Sequence, residues 1–215
     1  MKQRAKTAAK SLLSPLLFRH PPIGLQPERL YLWSRSLLET AEIDGAVVEI
    51  GCALGGTAAW SSRMLSQVGQ PKLYVCVDTF NGFVQEQFDT DAERGTNAAD
   101  RHLFSANSMK LTRRVLRQHG AVNVELVQAD VTTLDVDRLP NRIAACLVDV
   151  DLAEPVDIAL EKVFPRMAAG GVILVDDCPE GYNWKARIGY DAFVRRHGLA
   201  YEVVCGMGVV RRPAG

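Results

Sequence analysis

Acidic side chains stand at the ends of five short apolar runs, each of which is typical of a buried strand. In chain order they are Glu49, Asp78, Asp130, the pair Asp149 and Asp151, and the pair Asp176 and Asp177. The carboxyl ends of parallel strands share one edge of a sheet, so these carboxylates should converge there. Grouped carboxylates can accept hydrogen bonds from hydroxyl groups, take up a proton or bind a cation.

The last acids predict a metal site. Asp149 follows the fourth run and Asp176 and Asp177 the fifth, and neighbouring strands lie about 4.8 Å apart. Three close carboxylates repel one another unless a cation lies between them or one is protonated. Oxygen ligands without His or Cys favour Mg²⁺, Mn²⁺ or Ca²⁺ over zinc. We predict Asp149, Asp176 and Asp177 as the ligands; alternatively, Asp177 caps the next turn and only Asp176 faces the site.

A glycine-rich segment follows the first run and opens a helix. Its spacing from Gly51 to Gly55 and Gly56 is G-x-x-x-G-G, which differs from the dinucleotide fingerprint G-x-G-x-x-G. Glycines let a backbone turn sharply and approach a ligand, and a helix N-terminus offers unpaired N–H groups. Glu49, two residues before Gly51, would favour a ligand ammonium group. The alternative is a strand-to-helix turn that binds nothing.

Asp78 and Asp130 would complete a site for a nucleoside. Asp78 could accept both hydroxyls of a ribose, as acids after the second strand of nucleoside-binding α/β folds do. Asp130 could accept a hydrogen bond from an adenine amino group while Val131 packs on the base. Each acid could instead cap a turn, but three such acids at successive strand ends favour a nucleoside-containing ligand.

The elements that would position these residues alternate along the chain. Apolar runs predict strands at 46–50, 73–77, 122–127, 143–148 and 172–175, and two more near 201–205 and 207–211. Helices are predicted after Pro27, after the glycine-rich segment, and at about 101–119, 155–167 (ended by Gly170-Gly171) and 184–197, with a long loop at 79–100. We predict an α/β fold: a doubly wound, mostly parallel seven-stranded sheet with helices on both faces.

Composition is that of an ordinary globular chain. The 215 residues include 25 Lys and Arg and 25 Asp and Glu, so net charge gives no general attraction to nucleic acid. The apolar runs are too short to predict a transmembrane segment. Five cysteines without a CxxC pair predict a reduced, cytoplasmic protein.

The first 25 residues differ from the rest in charge, and we predict a basic leader at 1–25 before a single domain at 26–215. Lys2, Arg4, Lys6, Lys10 and Arg19 all precede the first acid, Glu28. With the leucines between them, they could form an amphipathic segment that rests on a membrane or a partner. The alternative is a solvated leader that docks on its own domain or on a second subunit of a homodimer.

The segment from Glu49 to Gly55 resembles the first motif of class I S-adenosylmethionine-dependent methyltransferases, with Ala53 in place of the middle glycine. The chain is more closely similar to the macrocin O-methyltransferase-like family, which methylates sugar hydroxyls on natural products. The similarity covers about residues 30–200. It rests on Glu49-Ile50-Gly51, Gly55-Gly56-Thr57, Asp78-Thr79-Phe80-Asn81-Gly82-Phe83, Asp149-Val150-Asp151-Leu152, Gly170-Gly171 and Asp176-Asp177.

This resemblance implies a Rossmann-like methyltransferase fold, a bound methyl donor and a divalent metal, Mg²⁺ or Mn²⁺, on the aspartates. The residues expected to contact S-adenosylmethionine are Glu49, Gly51, Cys52, Ala53, Gly55, Gly56, Thr57, Asp78, Thr79, Phe80, Asp130, Val131 and Asp149.

We therefore expect a metal-dependent O-methyltransferase that acts on a hydroxyl of a sugar or another small natural product. Asp149 would take the hydroxyl proton, with Asp151 as the reserve base. Two alternatives stay open: a non-catalytic S-adenosylmethionine-binding protein of the same fold, and a metal-independent methyltransferase on another acceptor. The glycine spacing disfavours an NAD-dependent oxidoreductase.

Overall fold

Residues 2–214 are described by a computed structural model, in which seven strands form one sheet. The strands are β1 Ala46–Ile50, β2 Tyr74–Asp78, β3 Val124–Gln128, β4 Ile143–Val148, β5 Met167–Val175, β6 Val203–Val204 and β7 Met207–Arg211. Their order is β3-β2-β1-β4-β5-β7-β6; β1 to β5 pair in parallel, and β7 pairs antiparallel with β5 and β6. The predicted doubly wound, mostly parallel sheet is confirmed.

Helices lie on both faces of this sheet. They are α1 Lys2–Leu17, α2 Pro27–Glu39, α3 Gly56–Gln67, α4 Gln85–Glu93, α5 Met109–Gln118, α6 Ala153–Val163 and α7 Ala186–His197. β1 and β4 are buried along their whole length, and every residue in them except Glu49 is apolar. Val48 and Ile50 pack with side chains of α6 and α7, and Val47 packs on the other face with those of α2, α3 and α5. The strand order reverses between β1 and β4, which places a crevice beyond their carboxyl ends.

Two helix boundaries between β2 and β3 differ from the prediction. The expected loop at 79–100 contains α4, which buries Phe88 and Asp91 and therefore has no apolar stripe to reveal it. The basic helix expected from about residue 101 begins only at Met109, because Ser108 caps its N-terminus. A short 3₁₀-helix at Ala98–His102 precedes it.

The boundary between α6 and β5 also differs. The helix predicted at 155–167 ends at Val163, because Pro165 lacks the N–H that an α-helix requires. β5 begins at Met167, so Gly170-Gly171 lies within the strand and does not end a helix. The register of β4 and β5 shifts beside these glycines.

The basic leader forms α1, which packs against α5. The chain then crosses the glycine-rich segment, where a Cβ on Gly56 would lie 2.1 Å from the Pro22 carbonyl oxygen. The boundary between a leader at 1–25 and a domain at 26–215 stays a prediction. Within residues 2–214, no helix is both long and apolar enough to cross a membrane.

Candidate active site at the carboxyl end of the sheet

A cavity of about 490 Å³ opens beyond the carboxyl ends of β1 and β4. The predicted residues that line it are Glu49, Gly51, Cys52, Ala53, Gly56, Thr57, Asp78, Thr79, Asp130, Val131, Asp149, Asp151, Asp176 and Asp177. Gly55 and Phe80 are not in this lining: Gly55 lies against Leu116, and the Phe80 ring is buried in the core. The volume is within the range of small-molecule sites, roughly 300–1,000 Å³.

The loop between β1 and α3 makes an approach that only glycine allows. Gly51 has a φ of +90°, and a Cβ there would lie 1.8 Å from the Asp149 carbonyl oxygen. Ala53, which replaces a glycine of the methyltransferase motif, also has a positive φ of +45°. Its N–H donates to Asp78 Oδ2 at 2.8 Å, and its carbonyl accepts from the Asn107 amide at 2.7 Å. These hydrogen bonds hold an alanine in a conformation that glycine adopts more readily.

Asp78, at the end of β2, is bound by backbone N–H groups on both carboxylate oxygens. Oδ2 accepts from Ala53, and Oδ1 accepts from Phe80 at 2.6 Å. Burial raises the pKa of Asp78, and these backbone hydrogen bonds oppose the rise. Each carboxylate oxygen has a second lone pair, so Asp78 can hold the loop and still accept from a ribose hydroxyl. The contact with the Phe80 N–H is the turn cap that was the alternative for Asp78, whereas its hydrogen bond to the Ala53 N–H of the glycine-rich loop was not predicted from the sequence.

Asp130, after β3, is held from two sides. Its carboxylate accepts from the Thr132 N–H at 2.9 Å, from the Thr132 hydroxyl at 2.7 Å and from the Gln87 amide at 2.9 Å. The two contacts with Thr132 cap the turn after β3, which is the alternative role predicted for Asp130. Gln87 was missed because it lies on α4, which the sequence pattern does not show.

Glu49 is buried, with 1% of its surface exposed, and accepts a hydrogen bond from the Tyr74 hydroxyl at 2.5 Å. Loss of water raises the pKa of Glu49 to about 8; the Tyr74 hydrogen bond opposes this rise, and the nearby Asp78 adds to it. The side chain is therefore mostly protonated at neutral pH. A ligand ammonium group beside Glu49 would stabilise its ionised form, which agrees with its predicted role.

The carboxylates of Asp149, Asp151 and Asp177 meet at the ends of β4 and β5. One oxygen from each lies within 4.8 Å of the others. The predicted set was Asp149, Asp176 and Asp177, so this group contains Asp151 where the prediction had Asp176. Three carboxylate oxygens without nitrogen or sulfur suit Mg²⁺ or Mn²⁺. These residues fit the divalent cation that the resemblance implies.

Asp176 is paired with Arg29, a buried side chain of α2. Arg29 Nη1 lies 2.8 Å from Asp176 Oδ1 and 2.5 Å from Asp177 Oδ1. Arg29 Nε is also buried and has no hydrogen-bond partner among the described residues. Arg29 was missed, although one signal was present: it occupies the buried stripe of α2 that continues through Trp33 and Leu37.

Burial and mutual repulsion raise the pKa of each of three site aspartates. The pKa values of Asp149 and Asp151 lie well above the usual value, because both lose water and each faces other carboxylates. Burial and Asp177 raise the pKa of Asp176 to about 6, against the opposing effect of Arg29. A proton or a cation between the carboxylates would relieve this repulsion.

Two of the clustered aspartates have left-handed backbone, with φ of +65° at Asp151 and +59° at Asp177. This conformation destabilises a residue other than glycine by roughly 1–2 kcal/mol. Such strain is typical of functional sites, and here it occurs at the two turns that bring carboxylates from β4 and β5 together.

Aromatic side chains form another part of the cavity wall, which includes Phe83, Phe104, Tyr182 and Trp184. The Phe83 ring centroid lies 5.7 Å from that of Phe104 and 5.5 Å from that of Trp184. Such faces suit the C–H surface of a sugar or a planar ring. Phe83 and Phe104 lie in segments without periodicity, which is why the sequence did not single them out as site residues.

Comparison with known proteins supports the same fold. The family described as "Methyltransferase domain" matches residues 48–178. No curated protein sequence matches the chain. The solved O-methyltransferase NovP has a TM-score of 0.73 at 19% identity, over 86% of this chain and 80% of its own. The calicheamicin methyltransferase CalS11 has a TM-score of 0.71 at 19% identity, over 98% and 91%. The [4+2]-cyclase SpnF has a TM-score of 0.53 at 14% identity, over 97% and 95%.

The matched residues extend from β1 to the turn after β5 and include the glycine-rich loop and every acid at the strand ends. They make up more than half of the chain. The chain therefore belongs to the methyltransferase domain family and has the fold of class I S-adenosylmethionine-dependent methyltransferases, as its sequence motifs indicated.

Proposed function

We propose that this protein transfers a methyl group from S-adenosylmethionine to a hydroxyl oxygen of a sugar or another small natural product, with Mg²⁺ or Mn²⁺ at the aspartates. The observation that carries this proposal is that one cavity contains the glycine-rich loop and the group Asp149, Asp151 and Asp177. A sugar acceptor is supported by the similarity to CalS11, which is described as a TDP-rhamnose 3'-O-methyltransferase.

The residues of β1 to β3 would bind the donor. Glu49 would receive its ammonium group, Asp78 its ribose hydroxyls, and Asp130 with Val131 its adenine. When bound, S-adenosylmethionine supplies an electrophilic methyl group on a positively charged sulfur. Gly51 keeps the loop close to Asp149, so the donor contacts and the acidic group lie in one continuous wall.

The aspartates would act on the acceptor. An aliphatic hydroxyl is a weak nucleophile at neutral pH, and a divalent cation lowers the pKa of an oxygen that it binds. Asp149 would take the hydroxyl proton, with Asp151 as the second candidate. As the acceptor oxygen bonds to the methyl carbon, the carbon–sulfur bond breaks and its electron pair stays on sulfur. Alignment of the two reactants can contribute roughly 7–11 kcal/mol.

Arg29 favours a second candidate, a metal-independent methyltransferase. Its guanidinium already contacts Asp176 and Asp177, so the protein itself supplies one positive charge to the group. The fold alone does not establish methyl transfer, since SpnF, described as a [4+2]-cyclase, shares it. Turnover must therefore be measured.

The test is a metal titration of turnover with a panel of hydroxylated acceptors, followed by detection of S-adenosylhomocysteine. We expect EDTA to abolish turnover but not donor binding, and Mg²⁺ or Mn²⁺ to restore it. Asp177→Asn should raise the metal concentration needed by at least about tenfold, because even the loss of an outer-shell partner of a metal ligand weakens metal binding by about 10–100-fold. It should also weaken Mn²⁺ binding measured by electron paramagnetic resonance. Asp176→Asn should raise it less, and Asp44→Asn, at an exposed position, should not change it.

Full turnover in EDTA, with no metal found by elemental analysis, would contradict the metal requirement and favour the Arg29-based site. Donor binding without turnover on any acceptor would instead indicate a non-catalytic S-adenosylmethionine-binding protein.

A further inference from the structure

The first helix turns its polar side toward the protein and its leucines toward solvent. Gln3 donates to the Ser105 hydroxyl, Lys10 donates to the Ala106 carbonyl at 3.4 Å, and Ser14 is fully buried. On the outer side, Leu12 is 77%, Leu13 45%, Leu16 72% and Leu17 55% exposed. A helix that belongs only to its own domain normally buries its apolar stripe. The orientation of α1 therefore indicates a partner for the leucines.

Basic residues concentrate around these leucines. Ten of the 25 Lys and Arg residues lie in segments 1–27 and 101–124, which contain no Asp or Glu. The two segments meet because α1 packs on α5. Lys110 and Arg114 are exposed on α5 and line the same groove as Leu12. Because the whole chain has no net charge, these two segments carry an excess of positive charge and the remaining residues an excess of negative charge, although Arg101 is paired with Asp89.

The apolar surface continues to the mouth of the active-site cavity. Leu103 and Phe104 are both exposed, and with Lys10 they line the cavity as well as the groove that contains Leu13 and Leu17. A partner seated on α1 would therefore lie next to this part of the cavity wall.

We propose that this face docks on the surface of an anionic phospholipid bilayer; we name it the α1–α5 face and define it by Leu12, Leu13, Leu16, Leu17, Lys110 and Arg114. A bilayer offers both an apolar layer and negative charge, because leucines bury at the acyl boundary while Lys and Arg contact anionic headgroups. A nucleic acid would use the basic residues but would leave the leucines exposed. A second copy related by two-fold symmetry would place two positive faces against each other, which is unfavourable.

The test is co-sedimentation of the full chain with large vesicles. The vesicles are pure phosphatidylcholine, or phosphatidylcholine with about 30% phosphatidylglycerol, which gives a negative surface. We expect binding to the anionic vesicles only, weakened when salt is raised from about 0.1 M to 0.5 M. Lys110→Glu with Arg114→Glu, and separately Leu12→Gln with Leu16→Gln, should each reduce binding by at least about tenfold, given typical contributions per basic residue and per buried CH₂.

The matched control is Arg138→Glu with Arg195→Glu, which makes the same charge change at exposed positions elsewhere and should bind as the unmodified chain does. Circular dichroism checks that each variant is folded. The proposal is overturned by equal binding to neutral vesicles, by no binding, or by binding that neither pair of substitutions reduces. It is also overturned if the leucine variant has a lower oligomeric mass by light scattering, which would assign the leucines to a second copy. Binding to DNA but not to vesicles would also overturn the proposal.

Discussion

Replacement of Glu49 by Gln should remove a large pH dependence from the stability of the fold. The pKa of Glu49 rises from 4.5 to about 8 in the folded protein, because burial removes water from the carboxylate. Between these two values the folded chain holds a proton that the unfolded chain has released, so the free energy of unfolding falls as pH rises. At 1.36 kcal/mol per pKa unit, ionisation of Glu49 alone makes the free energy of unfolding about 5 kcal/mol lower above pH 8 than at pH 4.

The assay is urea unfolding followed by circular dichroism at several pH values in this window. The raised pKa values of Asp149, Asp151 and Asp176 give the unmodified chain a further slope in the same direction, so the measured quantity is the difference between variants. Glu49→Gln keeps an oxygen that can accept from the Tyr74 hydroxyl, and it should flatten the curve. Glu125→Gln, at an exposed position on β3, should not. If the curves for Glu49→Gln and the unmodified chain run parallel, Glu49 is ionised in the fold and this reasoning is wrong.

The same group links donor binding to proton release. If the ammonium group of S-adenosylmethionine lies beside Glu49, binding at pH 7 should release most of a proton, because a carboxyl of pKa about 8 is mostly protonated there. Calorimetry in buffers of different ionisation enthalpy measures this release. Glu49→Gln should release much less; equal release from both proteins would place the ammonium elsewhere.

Two further substitutions test the donor loop. Asp78→Asn should weaken donor binding by about 1.5–3 kcal/mol, the range for hydrogen bonds to a charged group. It should also lower the melting temperature, because Asp78 holds the glycine-rich loop. Unchanged affinity by calorimetry would remove Asp78 from the donor site. Gly56→Ala should destabilise the fold by about 1–3 kcal/mol, because its Cβ would lie 2.1 Å from the Pro22 carbonyl oxygen. Gly24→Ala, where no atom lies within 4 Å of a built Cβ, is the matched control, and an equal loss of stability there would contradict the steric argument.

The sequence predicted the strands better than the segments between them. β1, β2 and β4 are buried on both sides, so each is a mostly apolar run with an acid in its last two positions or directly after it. α4 buries little, and its contribution to the site through Gln87 has no pattern that a sequence reading can detect. Arg29 shares the helical spacing of Trp33 and Leu37, which marks it as buried, but its contact with Asp176 and Asp177 spans nearly 150 positions and is visible only in the three-dimensional packing of α2.

The place of Asp151 in the acidic group follows from backbone geometry that residue types do not encode. Asp176 and Asp177 are consecutive, and both carboxylates contact Arg29 of α2. With left-handed backbone at Asp177, the carboxylate of Asp177 also reaches Asp149 and Asp151, whereas Asp176 stays outside the group. Asp149 and Asp151 are two positions apart, and the left-handed turn at Asp151 brings its carboxylate back to Asp149 and Asp177.

Arg29 and a divalent cation are compatible at this site, because a carboxylate has two oxygens and about four lone pairs. Asp177 uses one oxygen, Oδ1, to accept from Arg29 and retains the other for a cation. Contacts of this kind orient the ligands of metal sites. Asp176 contacts Arg29 and lies outside the group, so its removal would leave Arg29 with one acceptor while the three clustered carboxylates stay in place. For this reason the comparison of Asp176→Asn with Asp177→Asn separates the two candidate functions: a metal-dependent site loses more when Asp177 is changed, whereas a site neutralised by Arg29 alone loses similar activity from either substitution.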